Sequence, residues 1–306
     1  WRGREPMLIV TAALALLALA VAAVVAGRFP VVHRVVYGGT MVAALLLAIS
    51  ALTALTGDSG HAAPTLVLPI GLPWLQAHFR LDALSAFFMI VVNVIGALAS
   101  LFAIGYGTHV PEYRRVTPLV PLFLFAMNRV LVADDAFSFL VSWEFMSLSS
   151  WLLVLSDHRS EANREAARIY LIMAVGGTFC LLAMFGLLSG NGGDYSFDTM
   201  RHTGLSGLPM HLVVLLVLLG AGSKAGLVPL HAWLPLAHPA APSHVSALMS
   251  GVMTKVALYA IIRVLFDLNT GVVWWWGAVM MLVGGVTAVI GVLYALMQTD
   301  LKRLLA

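Results

Sequence analysis

Residues 220–255 read GAGSKAGLVPLHAWLPLAHPAAPSHVSALMSGVMTK, and this stretch decides the fold. The apolar run around Lys224 contains three glycines and Pro229, which lacks a backbone donor and crowds the carbonyl of Ala225. Backbone groups freed at membrane depth are tolerated only where they are buried in protein or line a cavity. The stretch therefore predicts a discontinuous membrane helix with an ionisable residue at its break, as is typical of ion-handling sites in transporters.

The composition around this stretch is that of a multi-pass membrane protein. The chain has 306 residues, of which 61% are hydrophobic and 10% are charged, whereas soluble domains carry about 25% charged residues. Apolar runs long enough to cross a bilayer recur about nine times, so we predict an all-α, polytopic transmembrane helix bundle. The predicted spans are 7–27, 35–56, 81–106, 117–133, 135–155, 167–189, 210–235, 244–266 and 272–297.

The sequence offers no pattern for a bound cofactor, a metal or a catalytic group. Its one cysteine, Cys180, lies inside a span, so no disulfide, zinc or iron–sulfur spacing is present in the sequence. The glycine-rich connection 190–209 has neither the preceding strand nor the following lysine of a nucleotide-binding loop. The net charge of +3 comes from basic residues spread over short loops and does not indicate a nucleic-acid partner.

The basic residues at the span ends predict the orientation. Counting alternate sides gives five on the side of the N-terminus and nine on the other, so the positive-inside rule makes the second side cytoplasmic. The five are Arg2, Arg4, Arg80, Arg201 and Arg263, and the nine are Arg28, Arg34, Arg114, Arg115, Arg159, Arg164, Arg168, Lys302 and Arg303. We therefore expect a plasma (inner) membrane protein with its N-terminus outside. The outer connection 57–80 mixes Pro, Gly and β-branched residues, which favours a short hairpin.

Three ionisable residues fall in the middle of predicted spans: Glu144 in LVSWEFMSLSSW, Lys224, and Lys255. A charge at that depth costs roughly 3 kcal/mol on insertion scales, so such residues are functional candidates. His231 follows Lys224 by two helical turns, His244 begins the eighth span, and histidine titrates near neutral pH. The sequence therefore predicts a proton pathway through these five residues.

The expected switch is a movable pair of Glu144 and Lys224. A carboxylate beside a buried ammonium stabilises its charge, so parting the two would release a proton toward His231 and Lys255. The alternative is a static buried ion pair that orients two helices, although such pairs are weak stabilisers. For the histidines, the alternative is an ordinary hydrogen-bonded structural role.

The stretch from about Leu131 to Ala306 resembles the antiporter-like membrane subunits of respiratory complex I, Mrp cation/proton antiporters and energy-converting hydrogenases. The motifs that carry the resemblance are WEFMSLSSWLLV, REAARIYLIMAVGGT, the opening stretch and QTDLKRLLA. Within the opening stretch, PLAHPAAPSHVSALMSGV looks most like the large antiporter-like subunit of hydrogenase-4 and formate hydrogenlyase complexes. The earlier LDALSAFF also fits this family.

The resemblance implies two five-helix repeats, inverted with respect to each other. It places three N-terminal spans in 1–116, the first repeat in 117–270 and the start of a second, truncated repeat in 271–306. We accordingly expect the chain to be a piece of a longer protein. The implied function is proton translocation in a complex I-like oxidoreductase, with the redox centres in partner subunits: other membrane subunits and a peripheral redox arm.

Two other functions stay open. A subunit of a multisubunit Na⁺/H⁺ antiporter of the Mrp type would use the same ionisable residues, and no sodium-specific ligand set is readable in the sequence. A structural membrane scaffold would use the polar groups only to pin helices together.

Overall fold

The computed structural model of the chain describes residues 4–57, 65–72, 75–109, 112–190, 195–269 and 273–305. Within these ranges, nine helices are long and apolar enough to cross a membrane, which confirms the predicted multi-pass helix bundle. The first six are α1 (Arg4–Ala26), α2 (Pro30–Thr56), α3 (Ala83–Tyr106), α4 (Tyr113–Val132), α5 (Ala136–Val154) and α6 (Glu161–Leu188).

The second part of the chain is more interrupted. It contains α7 (Phe197–His202), α8 (Leu208–Ala225), α9 (Leu234–Ala240), α10 (Ser243–Leu248), α11 (Thr254–Arg263), α12 (Trp274–Leu296) and α13 (Leu301–Leu305). Of these, α7, α9 and α13 are too short to cross a bilayer, while α10 and α11 belong to one span, Ser243–Leu268.

The connection between α2 and α3 forms the predicted hairpin. Strands β1 (Thr65–Leu72) and β2 (Leu75–Arg80) pair antiparallel, while 58–64 and 73–74 lie outside the described residues. The hairpin is attached to the corner between α4 and α5: the Asp134 N–H donates to the His78 carbonyl at 2.9 Å, and the Asp135 carboxylate accepts from the His78 N–H at 2.8 Å. We call this end of the bundle the hairpin end.

A cluster of carboxylates and guanidiniums ties the helices together at the hairpin end. Arg263 of α11 donates to both carboxylate oxygens of Asp82, at 2.6 and 2.7 Å, and Asp82 caps α3 by accepting from the Ser85 N–H. Arg201 of α7 binds Asp267 at 2.8 Å, and Arg80 lies 3.2 Å from Asp134. These three arginines share one end of the bundle, as the alternate-side count requires.

The seventh span is discontinuous, as predicted. Its first helix, α8, ends well before residue 235, where the predicted span ends. Helix α8 ends at Ala225 because Gly226 adopts the left-handed conformation, with φ of +83°. The Leu227 N–H then closes the end by donating to the Gly222 carbonyl at 2.9 Å. A side chain at Gly226 would also collide with Leu234, since an added Cβ would lie 2.6 Å from that side chain. Helical structure resumes at Leu234.

The groups freed at the break find partners inside the protein. The Trp233 indole N–H donates to the Ser223 carbonyl at 2.8 Å, and the Val228 N–H donates to the Thr287 hydroxyl of α12 at 3.1 Å. Irregular backbone at membrane depth persists only where such partners exist. The break is therefore stabilised by hydrogen bonds inside the protein, one of which is made with α12.

The eighth span differs from the continuous helix predicted over 244–266. A π-helical turn, Met249–Met253, separates α10 from α11, and a second one, Val264–Leu268, follows α11. A π turn widens the helix locally and is frequent at functional sites. Because the first one lies between His244 and Lys255, it resets the direction in which Lys255 projects relative to His244.

Candidate ion-translocation site

Lys224 lies in the last turn of α8, directly before the break, and is only 5% exposed. Its ammonium donates to the Ser147 hydroxyl of α5 at 2.6 Å and to the Tyr170 hydroxyl of α6 at 3.4 Å. The sequence puts the lysine here because the glycine-rich end of α8 allows close helix packing. An added Cβ on Gly220 would lie 2.8 Å from the carbonyl oxygen of Gly177 in α6.

Aromatic rings surround the rest of the ammonium. Its nitrogen lies 5.4 Å from the ring centroid of Trp143 and 5.6 Å from that of Tyr170, both within the range of cation–π attraction. The Trp233 ring packs on Tyr170 at 5.0 Å. A cavity of about 10 Å³ lies among these groups and Ser223, which is about the space that one water needs. The site thus combines a low-dielectric shell with very few polar partners.

Glu144 does not form the expected direct ion pair with Lys224. Its half-buried carboxylate instead accepts a hydrogen bond from the Thr178 hydroxyl of α6. Ser147 lies one turn further along α5 than Glu144 and takes the contact with the ammonium. The Glu144 carboxylate remains within electrostatic range of Lys224. In this structure the two charges are therefore parted, with a hydroxyl holding the ammonium.

His231 lies within the break but does not touch Lys224. Its ring is partly buried and stands edge-on to the Tyr294 ring of α12, with centroids 6.4 Å apart. Its buried Nδ1 has no hydrogen-bond partner among the described residues. The histidine thus faces α12, away from the aromatic shell of the lysine.

Lys255 projects from the exposed face of α11. Its ammonium donates to the Ser250 carbonyl at 2.7 Å and to the Thr254 hydroxyl at 3.3 Å, both on its own span. The expected series Lys224–His231–Lys255 is therefore not connected by direct contacts in this structure. The physical reason is that the break and the first π turn direct the last two side chains to other faces.

His244 is buried at the beginning of α10, where its Nε2 lies 3.0 Å from the Tyr37 hydroxyl of α2. A further histidine lies closer to the aromatic shell: the ring of His238 stacks on Trp233 with centroids 6.4 Å apart, and its Nδ1 lies 2.9 Å from the Ser246 hydroxyl. Of the histidines around the break, His238 thus contacts the shell of Lys224, and His231 does not.

Sequence reasoning missed the neutral residues that surround Lys224, namely Ser147, Tyr170, Trp143 and Trp233. A signal existed for Ser147, because it lies three residues after Glu144 and so shares one helix face with it. Trp143 and Tyr170 lie within the motifs WEFMSLSSWLLV and REAARIYLIMAVGGT. Nothing in the spacing showed that Ser150 would also bind the Tyr170 hydroxyl, at 2.6 Å.

Comparisons with known proteins agree with this architecture. Residues 133–306 match the family described as "NADH:quinone oxidoreductase/Mrp antiporter, TM", and residues 68–115 match "NADH-Ubiquinone oxidoreductase (complex I), chain 5 N-terminus". Hydrogenase-4 component B of Escherichia coli (strain K12) is 40% identical over 255 residues, which are 80% of this chain and 37% of that protein. Na(+)/H(+) antiporter subunit A1 of Staphylococcus haemolyticus (strain JCSC1435) is 33% identical over 243 residues, or 77% of this chain and 30% of that protein.

A solved structure, that of the Mrp complex from Dietzia sp. DQ12-45-1b, contains a chain with the same fold. It superposes with a TM-score of 0.81 at 23% identity and covers 97% of this chain and 32% of that chain. The chain thus spans well under half the length of these relatives. Its long family match and its identity with curated relatives show that this multi-pass membrane chain belongs to the NADH:quinone oxidoreductase/Mrp antiporter family of membrane proteins.

Proposed function

We propose that this chain is part of a proton-translocating membrane subunit of a complex I-like oxidoreductase of the hydrogenase-4 type, with Lys224 as the group that holds and releases the proton. The observation that carries the proposal is a buried lysine at a helix break whose hydrogen-bond partners are neutral hydroxyls. The hydrogenase type is supported by the higher identity to Hydrogenase-4 component B, 40% against 33% for the antiporter subunit.

The chemistry follows from what surrounds the ammonium. Two neutral oxygens and two aromatic faces stabilise a charge at this depth less well than a carboxylate does. Glu144 is bound to Thr178 of α6 and lies one turn from Ser147, so a shift of α5 against α6 and α8 would free its carboxylate and bring it toward the ammonium. Approach of Glu144 would favour the charged lysine, and its withdrawal would favour release of the proton.

Two residues of the predicted pathway are candidates to receive the released proton. His231 lies at the break and faces α12, and its Nδ1 has no hydrogen-bond partner among the described residues; Lys255 is the lysine of the eighth span. We place His244 on the uptake side of the path, since it lies at the end of the bundle opposite the hairpin end. Electron transfer would occur in partner subunits, comprising further membrane subunits and a peripheral redox arm, in the bacterial inner membrane with the N-terminus outside.

A Na⁺/H⁺ antiporter subunit of the Mrp type is the second candidate. It is favoured by the fold match that covers 97% of this chain and by the antiporter relative. Transport by the complete complex that requires Na⁺ and proceeds without an electron donor would select this candidate over the first.

The decisive experiment replaces Lys224 in the complete protein within its complex. Lys224→Met removes the proton carrier, and Lys224→Arg keeps the positive charge in a group that does not deprotonate in proteins. We expect both variants to lose proton uptake into inverted membrane vesicles, followed with a pH-sensitive dye, while the complex still assembles on native gels. Normal pumping in Lys224→Met would refute the role of the lysine. Variants of Lys224 and Glu144 that pump normally but assemble poorly would support the scaffold alternative.

A further inference from the structure

A second buried polar cluster lies at the end of the bundle opposite the hairpin end. It consists of His33 and Tyr37 of α2, Thr117 of α4 and His244 of α10, and each of these residues is at most 4% exposed. Only His244 among them was a candidate from the sequence. Buried polar side chains that come together from three separate helices are costly unless they serve each other, so the cluster calls for a reason beyond packing.

The four side chains form two hydrogen-bonded pairs. Nδ1 of His33 lies 2.9 Å from the Thr117 hydroxyl, and the Tyr37 hydroxyl lies 3.0 Å from Nε2 of His244. The two pairs meet through the contact between the His33 and Tyr37 rings. His33 and His244 are each hydrogen-bonded to one hydroxyl, those of Thr117 and Tyr37 respectively.

A hydrogen bond and close packing fix the position of the His33 ring. Its Nε2 lies 3.0 Å from the Ala103 carbonyl, which can only accept a hydrogen bond. Position 107 must be glycine, because an added Cβ there would collide with the His33 ring. The ring packs edge-on against Tyr37, with centroids 4.7 Å apart.

Thr117 lets His33 exist with one or two ring protons. When its hydroxyl hydrogen points to Nδ1, the neutral ring with Nε2–H is satisfied. When the hydroxyl instead donates to the Tyr113 carbonyl, 2.7 Å away, its oxygen accepts from a protonated Nδ1–H. A rotation of one hydroxyl therefore accommodates both protonation states without moving a helix.

A series of side-chain contacts leads from His238 to the Lys224 site. The buried Nδ1 of His244 and Nε2 of His238 lack hydrogen-bond partners in the described part of the chain. His238 stacks on Trp233, and Trp233 packs on Tyr170, which accepts a hydrogen bond from Lys224. The charged groups that act on the two cluster histidines are Arg34 on His33, and His33 and Lys302 on His244.

We propose that His33, Thr117 and Tyr37 form a proton-uptake path that delivers protons to His244, and from there toward Lys224. The transfer is a relay of hops. The Thr117 hydroxyl first turns from the Tyr113 carbonyl toward the Tyr37 oxygen. Nδ1 of His33 then gives its proton to the Thr117 oxygen, Thr117 gives its own proton to the Tyr37 oxygen, and Tyr37 gives its own to Nε2 of His244. One positive charge thus moves from His33 to His244, and the hydroxyls then rotate back. The inference rests on the proposed proton translocation and adds helix α2, which precedes the predicted repeat 117–270.

The test is Tyr37→Phe in the full-length protein within its complex, which removes the bridging hydroxyl and keeps the ring. We expect proton uptake in inverted vesicles to fall at least about tenfold, since a positioned proton-transfer group contributes at least that much. Tyr106→Phe is the matched control: its ring also lies near His244, with centroids 6.1 Å apart, but among the residues that the structure describes its hydroxyl bonds only the Ser243 hydroxyl, at 3.4 Å. That variant should transport normally.

Thr117→Val supplies a second, nearly isosteric deletion in the same chain. If the path is correct, the double variant Tyr37→Phe/Thr117→Val transports no worse than the slower single variant, because either change interrupts the one relay. Normal transport in Tyr37→Phe, or a loss that merely tracks lower assembly on native gels, would overturn the proposal. Lys224→Met separates the two claims: if it stops transport while Tyr37→Phe does not, only the uptake path fails.

Discussion

Lys224 donates its shortest hydrogen bond, 2.6 Å, to Ser147 and not to the carboxylate of Glu144, one turn earlier on the same helix. A hydroxyl in this position holds the ammonium without fixing its charge, because it neither ionises nor competes permanently with an approaching carboxylate. Lys224 therefore has two partners within one face of α5: the Ser147 hydroxyl, which it binds in this structure, and the Glu144 carboxylate, which was the expected partner.

Ser147→Ala should therefore slow transport, even though it removes only one oxygen. A hydrogen bond to a charged group contributes about 1.5–3 kcal/mol, so we expect proton uptake by the complete complex to fall by roughly 10- to 100-fold. Ser149→Ala is the control, since that buried hydroxyl donates to the Met146 carbonyl of its own helix at 3.0 Å. Ser147→Thr keeps the hydroxyl and should retain most of the activity. Equal transport by Ser147→Ala and Ser149→Ala would exclude this role for Ser147.

The contact between Gly177 and Gly220 should be intolerant of a single methyl group. In Gly220→Ala the new Cβ would lie 2.8 Å from the Gly177 carbonyl, so α6 and α8 must separate. Overpacking of this kind typically costs about 1–3 kcal/mol. We expect Gly220→Ala to aggregate at a lower temperature in detergent than Gly176→Ala, in which the new methyl group meets open space. Matching aggregation temperatures for the two variants would show that the helices yield at this crossing.

The sequence predicted the helices well because each span needs only a long apolar run, and it predicted the break because Gly226 and Pro229 act locally. The hydrogen-bond partner of Lys224 could not be predicted from the sequence. Whether Glu144 or Ser147 meets the ammonium depends on how α5 and α8 are rotated and shifted against each other, and that is set by packing such as the Gly177–Gly220 contact.

The eighth span shows a second limit of prediction from the sequence. An apolar helix with one extra residue per turn has the same composition as a regular helix, so the π turn Met249–Met253 leaves no periodic signal. Its effect is to separate the directions of His244 and Lys255, which the sequence had placed on a common path. The domain boundaries at 116 and 270 stay predictions.

The hairpin end should keep its charge cluster at moderately acid pH. Burial alone would raise the pKa of Asp82, but the Arg263 guanidinium outweighs it and holds that pKa at about 2, below the ordinary 3.8. A lowered carboxyl pKa gives stability that is present above the unfolded value and is lost as pH falls through the folded value. Asp82→Asn should thus cost about 2 kcal/mol of stability at neutral pH, since a lowering of the carboxyl pKa by one unit corresponds to about 1.4 kcal/mol.

The measurement is the unfolding temperature of the purified protein in detergent as a function of pH. The gap between the native protein and Asp82→Asn should stay constant from neutral pH down to about pH 4 and should close only below that. Asp198→Asn, an exposed carboxylate in α7 at the same end, should leave the unfolding temperature unchanged. A gap that already closes between pH 7 and about pH 5 would contradict the pairing of Asp82 with Arg263.

Lys255 should prove dispensable for stability and necessary for transport. Its ammonium is exposed and, within the described ranges, binds only the Ser250 carbonyl and the Thr254 hydroxyl of its own span, so Lys255→Met breaks no hydrogen bond between the described helices. We expect the variant to assemble normally on native gels and to keep its unfolding temperature, while proton uptake by the complete complex falls to the level of Lys224→Met. Thr254→Val, which removes the weaker of the two contacts at 3.3 Å, should change neither quantity. Full transport by Lys255→Met would remove it from the pathway, and a joint loss of assembly and transport would make it a structural residue that docks against another part of the complex.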